Sequence, residues 1–270
     1  MSEANEPGAP SPAPPEVLRV GEHDIALRHR EGASPDAPGI VWLGGWRSDM
    51  LGGKAEAMDA LCATRGWSFL RHDYSGHGES SGRIEDGTIS MWVAQSLAVL
   101  DARAGTGRHL LCGSSMGAWI ALRLVEKLAA RGETERLLGL LLVAPAPDFT
   151  TRLMEPRMGE DARRALAETG RWEEPSHYSD EPNVWTRAFM EDGARNQVLT
   201  RSLMLGVPVH IVQGTDDAEV PLAHAELLLS HLPADEATMT VVRGGDHRLS
   251  RDEDLALLKR LAAGMVEMGA

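Results

Sequence analysis

The sequence has little cysteine, a deficit of basic residues and no long apolar run. Its 270 residues include two cysteines, Cys62 and Cys112, too few for a disulfide framework or a cysteine-rich zinc site. The 27 basic residues are outnumbered by 40 acidic ones, so the net charge is −13. Nucleic acids and anionic lipids both require a Lys/Arg-rich surface, and neither is an expected partner. No apolar run reaches the roughly 18 residues of a membrane span.

The first 15 residues contain five prolines and almost no apolar side chain. Such a segment cannot offset the entropy of ordering, so residues 1–15 are predicted to be a disordered tail. The stretch lacks the basic and apolar regions of a secretory signal, and it lacks the arginines of a mitochondrial transit peptide. We therefore expect a cytoplasmic protein.

From residue 16 onward, short apolar runs alternate with helix-length segments. The patterns predict strands over residues 17–20, 25–29, 39–45, 67–72, 109–113, 137–144, 207–213 and 239–243. They predict helices over residues 50–64, 88–102, 116–130, 222–231 and 255–268, with Thr88 as a helix N-cap. The alternation indicates an α/β fold with a mostly parallel central sheet flanked by helices. No strand-like run occurs between residues 147 and 205, which predicts a helical cap over about 148–205, inserted into a single domain of residues 16–270.

The sharpest motif is Gly113-Ser114-Ser115-Met116-Gly117, which lies between a predicted strand and a predicted helix. In this context the motif indicates a tight turn that exposes the hydroxyl of its central residue, Ser115. Gly113 and Gly117 are small enough to let strand and helix approach each other. The start of the helix also directs its N–H groups and positive dipole end towards an oxyanion formed beside Ser115. Ser114 is one residue short of the centre of the motif, and a simple turn with exposed serines is the alternative interpretation.

A serine hydroxyl needs a base and an orienting carboxylate to act as a nucleophile. In serine hydrolases built on open α/β sheets, the chain order is serine, acid, histidine. His247 follows a predicted strand on a glycine turn, unlike the other histidines after Ser115, and is the candidate base. Asp216 and Asp217 both follow the preceding strand. The spacing to Gly214 and to the Val-Pro pair favours Asp217.

With these motifs in place, the chain resembles the α/β-hydrolase superfamily over residues 16–270. The resemblance is carried by residues 43–46, 71–80, 113–117, 217–221 and 245–248. More narrowly, it is similar to the group containing α/β-hydrolase domain protein ten, a mitochondrial palmitoyl-protein thioesterase. That similarity is carried by residues 73–76, 113–119, 172–179 and 246–248.

The resemblance implies a Ser115–His247–Asp217 triad that hydrolyses acyl esters and thioesters, including S-acylated proteins, through an acyl-enzyme. It also implies an oxyanion hole formed by the backbone N–H groups of Met116 and Trp46. Many relatives carry histidine where this chain has Gly44, but that change does not alter the backbone N–H group that serves as the donor. No cofactor or metal is expected, because zinc-ligand spacing and a phosphate-binding glycine loop with lysine are both missing from the sequence.

The substrate side of the site is less determined by sequence. Arg248, beside the base, and Trp119, in the helix after the elbow, are candidate substrate contacts; Arg248 could instead pair with Asp246 or Asp252. Several apolar side chains of the cap either line an acyl tunnel or pack the cap on the sheet, namely Met154, Met158, Trp172, Trp185, Phe189, Met190 and Met204. An anionic acyl carrier would need a basic entrance, for which Arg47, Arg248 and Arg251 are candidates. A general small-molecule carboxylesterase and a catalytically inactive α/β-hydrolase that serves as a binding protein are the alternative functions.

Overall fold

A computed structural model describes residues 14–175, 182–233 and 236–269. The predicted tail therefore lies outside the described residues, except for Pro14 and Pro15. Residues 176–179, part of the cap segment that carries the narrower resemblance, also lie outside them.

The centre of the fold is a mixed sheet that, among the described residues, has eight strands. They are β1 (Glu16–Val20), β2 (His23–Arg30), β3 (Gly39–Leu43), β4 (Ser68–His72), β5 (His109–Ser114), β6 (Leu137–Val143), β9 (Val209–Gly214) and β10 (Ala237–Val242). Their order across the sheet is β1-β2-β4-β3-β5-β6-β9-β10. The β1–β2 and β2–β4 pairs are antiparallel and all other pairs are parallel. The prediction of a mostly parallel sheet is confirmed.

Helices cover both faces of this sheet. They are α1 (Gly53–Arg65), α2 (Ile89–Arg103), α3 (Met116–Ala130), α4 (Glu160–Thr169), α5 (Arg187–Arg195), α6 (Leu222–Ser230) and α7 (Asp252–Gly269). Alternate residues of the buried central strands enter two separate apolar clusters: Leu140 and Leu142 of β6 pack with α2, α3 and α6, whereas Leu141 packs with α1 and α7. A strand buried on both faces reads as a continuous apolar run, which is why β6 was recognisable in the sequence. Thr88 caps α2 as predicted, since its hydroxyl accepts a hydrogen bond from the Met91 N–H at 3.2 Å.

The segment inserted between β6 and β9 contains a π-helical turn (Thr150–Met154), a 3₁₀ turn (Glu155–Arg157), α4 and α5. It also contains two strands, β7 (Arg171–Glu174) and β8 (Asn183–Thr186), which pair as an antiparallel hairpin. The predicted helical cap therefore contains helices and also a β-hairpin, which the sequence did not predict. Each strand is only four residues long and mixes charged or polar side chains with aromatic ones, so neither produces an apolar run. The two strands form because they pair with each other.

Two buried aspartates fasten the cap segment to the rest of the fold. The carboxylate of Asp148, which is fully buried, accepts hydrogen bonds from the N–H groups of Val198 and Leu199, both at 2.8 Å. The carboxylate of Asp192 accepts hydrogen bonds from the N–H and the hydroxyl of Ser90, in α2, also at 2.8 Å. These bonds join the two ends of the insertion to each other and to the sheet domain. In the part of the chain that the structure describes, no helix is both long and apolar enough to cross a membrane.

Candidate active site

Ser115 occupies a sharp turn between β5 and α3. Its backbone has φ 54° and ψ −118°, a conformation that is strained for a residue with a side chain. The surrounding backbone holds this turn in place. The Ser115 N–H donates to the carbonyl of Val143 at 2.9 Å, and the Ser115 carbonyl accepts from Ala118 at 3.0 Å and Ala146 at 3.2 Å. The strained turn predicted from the motif is therefore present, with Ser115 at its tip.

The two glycines of the motif are required by close backbone packing. A Cβ on Gly117 would lie 2.1 Å from the carbonyl oxygen of Leu43, and one on Gly113 would lie 2.6 Å from the carbonyl oxygen of Gly117. Both distances are shorter than any real contact of a Cβ atom. Gly113 and Gly117 thus let α3 pass close to the ends of β3 and β5, as expected from the sequence.

The structure brings Ser115, His247 and Asp217 into one hydrogen-bonded chain. His247 Nε2 lies 3.0 Å from the Ser115 hydroxyl, and His247 Nδ1 lies 2.8 Å from Asp217 Oδ2. Asp217 follows β9 and His247 follows the neighbouring parallel strand β10, so their loops emerge at the same edge of the sheet. The loops touch there: the Asp216 N–H donates to the carbonyl of Gly245 at 2.9 Å. The arrangement can transfer the serine proton to the imidazole.

The carboxylate of Asp217 is completely buried and accepts hydrogen bonds at both oxygens. Oδ1 accepts from the N–H groups of Glu219 (3.0 Å) and Val220 (2.8 Å), and Oδ2 accepts from Gln213 Nε2 (2.9 Å) in addition to His247. Burial by itself would raise the pKa of Asp217, but the hydrogen bond and charge of His247 and the other donors outweigh it and hold the pKa below the usual value. The group is therefore an anion suited to orienting the imidazole.

The neighbouring Asp216 does not take part in this chain. Its side chain is exposed, and its carboxylate accepts a hydrogen bond from the Thr215 hydroxyl at 2.8 Å. The structure thus places Asp217, the aspartate that the spacing favoured, beside His247, and Asp216 away from it. Sequence reasoning missed Gln213, whose polar side chain within an otherwise apolar strand was the available signal.

Trp46 and Met116, the predicted oxyanion donors, lie on either side of Ser115. A Cβ on Gly45 would be 3.3 Å from the Cβ of Ser115, so the loop after β3 passes directly beside the serine. Met116 is the first residue of α3. Within the described residues, neither backbone N–H donates a hydrogen bond, so both donors are available to a ligand.

The ring of Trp46 is held by the cap. It stacks on Trp185 of β8 with centroids 4.5 Å apart and contacts Phe189 at 5.0 Å. Its indole N–H donates to Asn183 Oδ1 at 3.4 Å. The position of one expected oxyanion donor thus depends on a hairpin that the sequence did not predict.

A cavity of about 930 Å³ opens above Ser115 and His247. One side is apolar and comes mainly from the cap, with Phe149, Leu153, Met154 and Trp185. A polar side comes from the loop after β3, the start of α1 and the loop after β10 that carries His247 (the histidine loop), with Ser48, Lys54, Arg248 and Ser250. The volume lies at the upper end of the range for small-molecule sites.

The cavity contains only some of the predicted substrate contacts. Arg248 and Arg47 line it, as expected, whereas Arg251 pairs with Asp254 at 2.8 Å on the outer side of the loop. Trp119 is fully buried in the core, and its indole N–H donates to the carbonyl of Asn196 at 3.1 Å. The prediction that Trp119 contacts substrate is corrected, because its ring is buried edge-on against Phe149, with centroids 5.6 Å apart, and Phe149 rather than Trp119 lines the cavity.

The apolar cap residues divide between cavity and core. Met154 and Trp185 line the cavity, while Met158, Phe189 and Met190 are buried in the core cluster. Trp172 is partly buried against that cluster, and Met204 is 78% exposed. Two of these side chains thus lie where an acyl chain would have to bind, and most of the others pack the cap on the sheet domain.

Lys54 is a charged residue of the cavity that sequence reasoning missed. Its ammonium donates to the carbonyl of Arg248, immediately after the candidate base, and lies 3.4 Å from the hydroxyl of Ser250. Burial, together with the nearby charge of Arg248, lowers the pKa of Lys54 to about 8. The lysine thus links the start of α1 to the histidine loop.

Over residues 14–175, 182–233 and 236–269, no group of three His, Cys, Asp or Glu side chains is placed to hold a metal ion.

Comparisons with known proteins agree with this fold. The family model described as "Alpha/beta hydrolase family" matches residues 37–258. The crystal structure of a putative hydrolase from Agrobacterium vitis S4 is 48% identical, with a TM-score of 0.89 over 93% of this chain and 97% of that chain.

The palmitoyl-protein thioesterase ABHD10 of Mus musculus is 28% identical over 87% of this chain and 76% of its own length. The structure of the mouse protein has a TM-score of 0.82 and covers 96% of this chain and 100% of that chain, at 25% identity. A 2-heptyl-3-hydroxy-4-quinolone dioxygenase of Rhodococcus erythropolis is 28% identical over 57% of this chain and 56% of its own length.

Proposed function

Since this chain belongs to the alpha/beta hydrolase family, we propose that it is a serine hydrolase that cleaves carboxylic esters and thioesters through an acyl-enzyme on Ser115. The observation that carries the proposal is the continuous hydrogen-bonded chain from Ser115 through His247 to Asp217, at 3.0 and 2.8 Å. One relative is named a dioxygenase, so similarity to named proteins does not by itself specify a reaction, and the proposal depends on the hydrogen-bonded side chains of Ser115, His247 and Asp217.

In the proposed acylation step, Ser115 Oγ attacks the acyl carbonyl carbon and transfers its proton to His247 Nε2. Asp217 accepts the Nδ1–H of His247, which keeps Nε2 free to receive that proton and stabilises the imidazolium. The imidazolium then protonates the departing thiolate or alkoxide. In deacylation, water attacks the acyl-enzyme, gives its proton to Nε2, and Ser115 Oγ leaves with the proton returned from the imidazolium.

The negative charge on the carbonyl oxygen needs donors that are already oriented. The N–H groups of Met116 and Trp46 supply them in this proposal, because both flank Ser115 and neither is used within the described fold. One donor of this kind contributes about 3 kcal/mol to transition-state stabilisation.

We further propose acyl thioesters, including S-acylated proteins, as the substrate class. The ABHD10 relative carries the name palmitoyl-protein thioesterase, and the cavity has an apolar side formed by Phe149, Leu153, Met154 and Trp185 against which an acyl chain can pack. The polar side of the cavity remains for the leaving group. The cytoplasmic location expected from the sequence stays a proposal.

Labelling with a fluorophosphonate probe tests the nucleophile. We expect the wild-type protein to be labelled and Ser115→Ala to be unlabelled. Ser114→Ala should still be labelled, because Ser114 ends β5 and it is the hydroxyl of Ser115 that lies beside His247. A wild-type protein that takes no label would favour the catalytically inactive binding protein instead.

The substrate class requires a rate profile across acyl chain lengths, measured on matched thioesters and oxyesters. We expect activity on both, with long acyl chains accepted. A preference confined to acyl groups of two to four carbons would reject the depalmitoylation hypothesis and indicate a general small-molecule carboxylesterase.

A further inference from the structure

A second carboxylate lies beside the imidazole of His247. Oε2 of Glu219 is 3.6 Å from His247 Nε2, the nitrogen that is also 3.0 Å from the hydroxyl of Ser115. Glu219 belongs to the same loop as Asp217, and its backbone N–H donates to Asp217 Oδ1 at 3.0 Å. One loop thus places a carboxylate at each nitrogen of the ring.

The two carboxylates differ in surroundings. The Asp217 side chain is completely buried and forms a hydrogen bond with Nδ1, whereas the Glu219 side chain is 35% exposed and lines the cavity. At 3.6 Å the oxygen of Glu219 is beyond hydrogen-bond distance of Nε2. A proton on Nε2 therefore remains directed towards Ser115 or a leaving group, while the charge of Glu219 still acts on it.

We propose that Glu219 is a positioning residue that stabilises the imidazolium form of His247 during proton transfer. The inference rests on the proposed serine-hydrolase function. The proton passes from Ser115 Oγ to Nε2 and then to the leaving atom, and Glu219 neither gains nor loses a proton. Its carboxylate lowers the energy of the state in which the ring is positive, which is the state that accompanies each oxyanion.

Charged side chains of both signs line the cavity into which the ring faces. Lys54 and Arg248 place positive charge on the polar side of the cavity, and Arg47 and Arg157 also line it. Positive neighbours oppose a positive ring. The negative groups facing the same space are Asp49, Glu174 and Glu219, with Asp217 at Nδ1 and Asp246 beside the ring in the chain. Among the ion pairs of the described residues, Asp217 and Glu219 are the carboxylates within 4 Å of the imidazole nitrogens.

The test compares pH–rate profiles of kcat/KM for a p-nitrophenyl ester in the wild type and in Glu219→Gln. For a partly exposed pair we expect the plateau to fall about two- to fivefold and the acid limb to move to lower pH by roughly half a unit. The limb moves downward because a ring without its negative neighbour loses its proton more readily. Asp216→Asn is the matched control, since it removes the same charge from the same loop at an exposed carboxylate that bonds Thr215. Its profile should overlay that of the wild type.

A plateau loss with an unmoved acid limb would indicate a purely structural role for Glu219 and overturn the proposal. Coincident wild-type and Glu219→Gln profiles would do the same. Glu219→Asp, which keeps the charge on a shorter side chain, should restore part of the difference.

A second measurement is independent of turnover: the NMR titration midpoint of the His247 ring, assigned by comparison with His247→Gln. It should fall by roughly half a unit in Glu219→Gln. An unchanged midpoint would reject the role of Glu219. A wild-type protein that neither hydrolyses esters nor takes the fluorophosphonate label would reject the proposed function.

Discussion

Replacing Asp217 with asparagine is the sharpest test of how the acid acts. The change keeps the size of the side chain but turns one carboxylate oxygen into an NH₂ group. Both oxygens of Asp217 face donors, so the new NH₂ must be placed against one of them. Oδ1 faces the backbone N–H groups of Glu219 and Val220, which cannot be rotated or reversed. Oδ2 faces His247 Nδ1 and the side chain of Gln213.

The fixed backbone donors therefore decide the orientation of the asparagine. Its carbonyl oxygen takes the Oδ1 position, and its NH₂ points at His247 Nδ1. That nitrogen must then accept a hydrogen bond, so the proton of the neutral ring moves to Nε2. A protonated Nε2 cannot receive the proton of Ser115, and the ring also loses the negative charge that stabilises its imidazolium form.

The expected loss is about 10⁴-fold in kcat, the size found when the acid of an unrelated serine protease is changed in this way. It corresponds to about 5.5 kcal/mol of transition-state stabilisation. The assay is kcat/KM on a p-nitrophenyl ester and on an acyl thioester, with circular dichroism to confirm that the variant is folded. Asp216→Asn, one residue away and exposed, should retain activity within about twofold, because surface charge changes have small effects.

Equal losses in Asp216→Asn and Asp217→Asn would contradict the assignment of the acid. A folded Asp217→Asn protein that keeps more than about a tenth of wild-type activity would contradict the tautomer argument, even if Asp217 contributes in another way.

Three further predictions concern the elbow, the cap and the buried histidines. Gly117→Ala forces a Cβ to 2.1 Å from the backbone oxygen of Leu43, so we expect destabilisation of at least about 3 kcal/mol in chemical unfolding; an unchanged midpoint would show that the backbone shifts freely. Trp185→Ala removes the ring stacked on Trp46 and should lower kcat/KM by about tenfold, with Trp185→Phe close to wild type. A Trp185→Ala protein with the kcat/KM of the wild type would show that the cap does not position the loop of Trp46. Burial lowers the pKa of His77 from 6.5 to about 4, so the unfolded chain binds its proton first as pH falls and stability is lost below about 6.5. His77→Phe should reduce the loss of unfolding free energy between pH 7.5 and pH 5 by about 2 kcal/mol, and an unaltered pH dependence would contradict this reasoning.

Elements with a strong local pattern were predictable. The continuous apolar run of β6 and the strand–turn–helix around Ser115 correspond closely to the structure, with boundaries that differ by one residue. The hairpin of β7 and β8 was not predictable in this way, since its strands are short, carry charged residues, and form because they pair with each other. Trp119 was misassigned for a related reason: its place in the chain is next to the elbow, but the direction of its side chain depends on how α3 lies on the sheet.

The contributions of Lys54 and Glu219 to the site could not be predicted from the sequence, whereas Gln213 left a signal as a polar residue in a buried strand. Each acts through a group that is distant in sequence or fixed by loop geometry, such as the carbonyl of Arg248 for Lys54. A charged residue is ordinarily solvated, and only the packing of α1 and the loops against one another shows that Lys54 meets the carbonyl of Arg248 and that Glu219 faces the imidazole.

The sequence by itself determined the fold class, the position of the candidate nucleophile and the chain order of the candidate serine, acid and base, because each depends on local periodicity and on small residues at tight turns. The tertiary structure decided which of two adjacent aspartates faces His247, and which side of the cavity is apolar. Neighbouring residues in a loop point in different directions, and hydrogen bonds require separations near 3 Å. Such separations are set by the contact between the loops after β9 and β10, where Gly214 and Gly245 meet.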